Sequence, residues 1–200
     1  MSNIRSSLLN NSRYEIRIAG AGGQGIVLAG IILAEAGLIQ NLKVAQNQRY
    51  GPETRGGNSI SEVILSTTEI DYPLSIELDL LIALTQTACD RNLPDMKEEG
   101  LVIVDSEVVQ RVPWGKIIEI PFAEIARNAG ETRAVNMAAL GSLVPLCPLI
   151  KRSALKKAIS NRIPHEKLEA NLLAFDKASH LSLRLKDRLK YAVAPLGYEI

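Results

Sequence analysis

Cysteine is scarce in this chain: two residues in 200, Cys89 and Cys147, neither within a C-x-x-C. That excludes a four-thiolate iron–sulfur or zinc centre built by the chain alone. It also gives no support to a disulfide framework, and the two read as small buried thiols. Aromatic residues make up 4% of the sequence, too few and too scattered for a base-stacking surface. Neither sign of charge dominates, with 23 Lys and Arg against 22 Asp and Glu, so nothing argues for nucleic acid or for an acidic tail. Histidine occurs twice, as His165 and His180, both in a C-terminal helical stretch where they read as surface residues rather than bases. No apolar run approaches the roughly 20 residues that cross a bilayer. The N-terminus lacks an apolar signal core. Residues 1–13 read as a mobile lead-in to one domain over 14–200, with a cytoplasmic location expected.

The sequence does hold a regular alternation of short apolar runs and helical patterns. Residues 14–19 alternate and then meet glycine, as a strand entering a tight turn does. Residues 26–37 form a small-residue helix with Gly37 as its expected cap. A short second strand is expected at 42–45, a polar loop at 46–58 and a strand at 59–66. Residues 66–71 read as a turn into another short strand or edge. The apolar run 78–84 marks a strand buried on both faces. A helix over 88–99, broken near Pro94, precedes strands at 101–104 and 116–120 and a helix at 122–128 closed by Gly130. After Gly130 only helices are expected: 135–146, 153–159, and a last one opened by Pro164 with Leu168, Leu172 and Phe175 on one stripe. The fold class is therefore α/β, a doubly wound, mostly parallel sheet with a Rossmann-like glycine loop and a helical C-terminal part over about 131–200.

The stretch "IRIAGAGGQGIVLAG" places Gly20, Gly22 and Gly25 in a G-x-G-x-x-G spacing between strand and helix. Such a loop allows a tight turn and close approach of an anion to free helix N–H groups. A dinucleotide site also needs an acid about 20 residues on, for the ribose. Here the second strand ends in "KVAQNQRY", with no Asp or Glu, which argues against NAD. Gln24, with donor and acceptor at the mouth of the turn, points to a polar contact. A second loop, "QRYGPETRGGNS", carries Arg49, Tyr50, Arg55, Gly56, Gly57 and Asn58. Following the second strand, it is expected to open at the same sheet edge as the glycine loop. Its arginines suit a phosphate or carboxylate. Asp105, at a strand end, is a weaker candidate, with capping of the next turn the simpler reading.

These segments, "GAGGQGIVLAGIILAEA", "QRYGPETRGGNSISEVILS", "VNMAALGSLV" and "PHEKLEANLLAFDKA", resemble the gamma subunit of the 2-oxoacid:ferredoxin oxidoreductases over roughly residues 14–180. The resemblance implies a subunit without the catalytic centre. Thiamine diphosphate and Mg²⁺ lie on alpha and beta chains, iron–sulfur clusters lie in beta, delta or fused parts, and coenzyme A is the acyl acceptor. It implies a hetero-oligomer taking 2-oxoglutarate, pyruvate or a branched-chain 2-oxoacid to the acyl-CoA and CO₂ with reduction of ferredoxin, in anaerobic metabolism. Gly20, Gly22, Gly23, Gln24, Gly25, Arg49, Tyr50, Arg55, Gly56, Gly57 and Asn58 are then the residues facing partner chains or coenzyme, none of them catalytic and none a metal ligand. The chain has no G-D-G thiamine motif of its own. A free-standing nucleotide-binding protein and a docking subunit that touches no ligand remain the alternatives at this stage.

Overall fold

The computed structural model describes residues 12–50 and 57–189. Residues 1–11 of the expected lead-in 1–13, the loop positions Arg55 and Gly56, and the tail beyond Leu189 lie outside them, and Arg13, expected in the lead-in, already belongs to the first strand. Six strands form one sheet: β1 (Arg13–Ala21), β2 (Lys43–Tyr50), β3 (Asn58–Ser66), β4 (Leu78–Ala83), β5 (Met96–Asp105) and β6 (Ile117–Ile120). Their spatial order is β2-β3-β1-β4-β5-β6, and only β3 runs against its neighbours. The helices are α1 (Ile26–Ile39), α2 (Gln86–Asn92), α3 (Phe122–Asn128), α4 (Val135–Leu143), α5 (Arg152–Arg162) and α6 (His165–Leu189).

Strand side chains alternate between faces, and the sheet is buried on both. Ile16, Ile18, Leu80, Ile82 and Ile103 meet α1 and α3 to α6 in the larger core. Ala19, Leu81, Ala83, Val102 and Val104 meet α2 in the smaller one. Helix α1 lies close against the hairpin because glycines line its underside. A Cβ at Gly30 would stand 1.8 Å from Ser61 Oγ, and one at Gly37 2.7 Å from Leu65. Gly37 therefore serves packing rather than capping: α1 runs past it to Ile39 and ends at Gln40, with Asn41 at φ 61°.

Three further expectations are corrected. The second strand is eight residues long rather than a stub at 42–45, so residues 46–50 of the expected loop 46–58 are strand, and Asn58 already opens the next one. As an edge strand, β2 is half-exposed on both faces and carries no apolar alternation to betray it. The expected helix over 88–99 stops at Asn92. Pro94 sits in a 3₁₀ turn (Leu93–Asp95), and Met96 already opens β5, whose charged Lys97 to Glu99 read as helical surface. Residues 66–71 lead to no new strand. Instead residues 67–77 form an irregular strap over the face that carries α2. Arg13 donates to the Tyr72 and Leu74 carbonyls (2.7 and 2.8 Å), Asn47 to the Pro73 carbonyl (2.6 Å), and the Ile76 N–H donates to Glu15 Oε2 (2.7 Å).

The same face buries charge. Arg17, on the central strand β1, is 3% exposed. It donates to Glu62 on β3 (2.5 Å from Nη2), to Asn92 on α2 (2.9 Å) and to Asp95.

In the C-terminal layer, α4 and α6 approach until a Cβ at Gly141 would fall 2.0 Å from the Phe175 carbonyl oxygen. Backbone cannot yield as a side-chain tip can. Gly141→Ala is expected to cost about 3 kcal/mol, the upper end for overpacked cores. Urea denaturation measures this, and an unchanged midpoint would contradict the contact.

Candidate functional site at the carboxyl edge

Strand β1 ends where the chain turns back through the glycine loop into α1. Ala21 lies opposite Asn58, and Tyr50 opposite Ser59. Since β1 and β2 point the same way, the glycine loop and the loop after β2 leave one edge, as expected. They do so because of an antiparallel hairpin rather than a parallel crossover. The Gly22 N–H donates to the Gly57 carbonyl (3.0 Å) and ties the two together. Gly20, Gly22, Gly23, Gln24, Gly25, Gly57 and Asn58 are thus brought to one place.

The roles within the loop differ. Gly23 and Gly25 take left-handed backbone, φ 93° and 74°, which an L side chain resists. Gly22 and Gly23 are exposed. Gly25 is the N-cap of α1 and offers no side-chain acceptor, and the first turn has no acid. The first N–H groups of α1 are therefore left for an anion. Gln24 does find a polar contact, but within its own chain. Its Oε1 accepts from the Ala21 N–H (2.7 Å), and its Nε2 reaches the Leu84 carbonyl beyond β4 (3.4 Å). The carboxamide bridges the ends of β1 and β4, the crevice where the helices change faces and where an open α/β sheet binds its ligand. Gly20 is glycine for the same reason, since its Cβ would sit 2.3 Å from Gln24 Oε1.

Two residues outside the loops complete the edge. Asn136, 4% exposed near the start of α4, donates to the Gly25 carbonyl (3.2 Å). A Cβ on Gly25 would strike its amide at 2.3 Å. The local signal for Asn136 is an asparagine at an otherwise apolar helix start, which names no partner. Asp105 is buried, and its carboxylate receives the Glu107 N–H (3.1 Å) and the first N–H groups of α3, from Phe122 and Ala123. It is a cap. Burial pushes its carboxyl above the ordinary value, against those hydrogen bonds.

Arg49 does not join the glycine loop. Its guanidinium is exposed yet turned to the face that carries α2, where it pairs with Glu62. The backbone of Tyr50 closes β2 at the edge.

Among the described residues, this edge presents backbone donors, side-chain amides and glycine. The two cysteines sit in separate cores, and burial pushes their thiols up to about 11 for Cys89 and about 12 for Cys147. His165 and His180 are exposed on α6. Among the described residues, no group of three His, Cys, Asp or Glu could hold a metal ion, and no helix is long and apolar enough to cross a membrane.

The family model described as pyruvate ferredoxin/flavodoxin oxidoreductase matches residues 15–181. The chain belongs to that family. Within it the chain is of the gamma-subunit type. It is 41% identical over 179 residues to the 2-oxoglutarate synthase subunit KorC of Methanocaldococcus jannaschii, covering 86% of this chain and 96% of the relative. The gamma subunit of a keto/oxoacid ferredoxin oxidoreductase from Geobacter sulfurreducens superposes with a TM-score of 0.79 at 40% identity, over 86% of this chain and 97% of that one. The 2-oxoglutarate:ferredoxin oxidoreductase of Magnetococcus marinus, solved with 2-oxoglutarate, coenzyme A and succinyl-CoA, matches with a TM-score of 0.79 at 26% identity. That match covers 92% of this chain but 32% of the Magnetococcus chain.

Two expectations follow for the edge. Gly20→Ala and Gln24→Ala should each destabilise, the second by about 1–2 kcal/mol for the lost hydrogen bonds. The double variant should lose less than the sum by at least ~0.5 kcal/mol, since removing Gln24 clears the space. Strict additivity would mean that the two do not touch. For Asp105 the sign follows from its raised pKa. The folded state holds the proton more tightly than the unfolded state, so this group's contribution falls as pH rises from about 4 through the folded value. The stability of Asp105→Asn relative to the parent, from urea midpoints, should therefore rise between about pH 4 and pH 7. A shrinking difference would reverse the assignment.

Proposed function

We propose that the chain works in a thiamine-dependent 2-oxoacid:ferredoxin oxidoreductase, with 2-oxoglutarate the substrate that its KorC relatives favour. In this reading the carboxyl edge faces a partner chain and the path of coenzyme A. The reaction joins a 2-oxoacid and coenzyme A, releases CO₂, and passes electrons to ferredoxin. Thiamine diphosphate, Mg²⁺ and iron–sulfur clusters belong to alpha and beta chains, or to a ferredoxin-like delta chain. The described residues of this chain offer them no ligand set. What this chain contributes is binding and orientation, while the bond chemistry stays with the cofactor.

The observation that carries the reading is the uncapped N-terminus of α1 beside two exposed glycines, joined by the Gly22–Gly57 bond to the arginine-bearing loop. Such an edge suits a phosphate of the coenzyme or a carboxylate of a neighbour. A free-standing dinucleotide site is disfavoured by Gln24, which fills the crevice, as well as by the missing ribose acid.

Arg55 supplies the test. Its place between Pro52 and the Gly56–Gly57 pair lets backbone come close to a ligand. Arg55→Ala should leave stability within about half a kcal/mol. Losing a forked, charge-assisted contact should weaken binding by ~1.5–3 kcal/mol, roughly ten- to a hundredfold. In the reconstituted complex, a raised KM for coenzyme A with normal assembly assigns Arg55 to the coenzyme. Weakened co-purification of the other chains assigns it to docking. Normal assembly with unchanged kinetics would remove the loop from the site.

A further inference from the structure

We infer that the strap over residues 71–77 is a second docking surface, for a basic-rimmed apolar patch on another chain of the complex. This rests on the subunit reading above but concerns a separate region of the molecule. The strap leads into the start of β4, whereas the glycine loop leaves the far end of the neighbouring, parallel β1.

Tyr72, Leu74 and Ile76 are 51%, 46% and 68% exposed, a concentration of large apolar side chains within five residues. Loops normally turn polar groups outward. Here the polar groups turn inward: the carbonyls of Tyr72, Pro73 and Leu74 accept from Arg13 and Asn47, and the Ile76 N–H donates to Glu15. Arg13 is itself held by Glu15 (2.8 Å). The backbone is thus fixed from beneath by side chains of β1 and β2. Fixing a loop before contact lowers the ordering cost of binding. A free chain gains nothing from holding apolar side chains in water, whereas an interface does.

Charge selects the occupant. Glu69, Asp71 and Glu77 surround the apolar residues. Lys43 answers Glu69, and among the described residues no ion pair answers Asp71 or Glu77. A second copy of this chain meeting the strap symmetrically would set acid against acid, which costs affinity. A different chain with Lys or Arg around an apolar patch fits instead. In the Magnetococcus relative, the matching region is part of a chain about three times as long.

The test uses the whole complex, expressed with all its chains. The paired change Leu74→Asp and Ile76→Asp is expected to leave the melting of the separate chain unaltered, since both side chains stand in water. It is expected to weaken co-purification of the partner chains at least tenfold. Asp71→Lys with Glu77→Lys should weaken assembly too, most strongly at low salt. A photo-crosslinking amino acid at position 72 should capture a partner chain. If the wild-type chain draws down no partner at all, the subunit reading falls. If the wild type assembles and the strap variants assemble equally well, the strap alone is excluded. Capture of a second copy of this chain overturns the choice of occupant.

Discussion

Arg17 stands in the middle of a central strand with its guanidinium out of water. A charge in that position is tolerable only if every donor finds an acceptor, and removing one partner of such a buried pair typically costs about 3–5 kcal/mol. Much of the architecture is arranged around meeting that demand. Glu62 answers from β3, which fixes how the hairpin pairs with β1. A one-residue slip would send Glu62 to the opposite face, into the apolar core. Asn92 and Asp95 answer from α2 and the turn after it, which fixes where that short helix rests. Arg49 then adds itself to Glu62 from the end of β2. The hairpin is held in register up to the point where its loop departs, and that register carries the loop to the glycine turn.

The glycine loop itself shows how a familiar pattern is redirected. In a dinucleotide site the crevice between diverging helices is left for the ligand. Here it is filled by the carboxamide of Gln24, and the third glycine is set against Asn136. What remains open is the outer rim, Gly22 and Gly23 with the uncapped start of α1. In the function proposed above, a ligand or a neighbouring chain would meet that rim from outside rather than lie deep in the cleft.

How much of this the sequence disclosed depended on whether a residue's role was local. Buried strands such as β4 and buried helices such as α4 announced themselves by composition, because burial on all sides leaves only apolar choices. The two loops were legible as neighbours because each holds glycines at a strand end, although an antiparallel hairpin rather than a parallel crossover brings them together and Arg49 turns away. The edge strand β2 was not legible, since a strand half in water needs no alternation. Nor was the end of α2, because the charged start of β5 resembles a helix surface. Gly37 looked like a helix stop, while its reason for being glycine lay in Leu65, 28 positions away. Asn136 and the Arg17–Glu62 pair were missed for the same reason: their partners are remote in sequence, and no spacing encodes them.

The exposed edge of β2 has a consequence for the life of the chain before assembly. An unpaired strand edge is a template on which other chains can stack, and a run of β-branched residues there would seed aggregates. Lys43, Gln46, Asn47, Gln48 and Arg49 make this edge polar and partly charged over most of its eight residues. Water competes well for such a backbone. A hydrophilic rim of this kind disfavours edge-to-edge stacking of one copy of the chain on another.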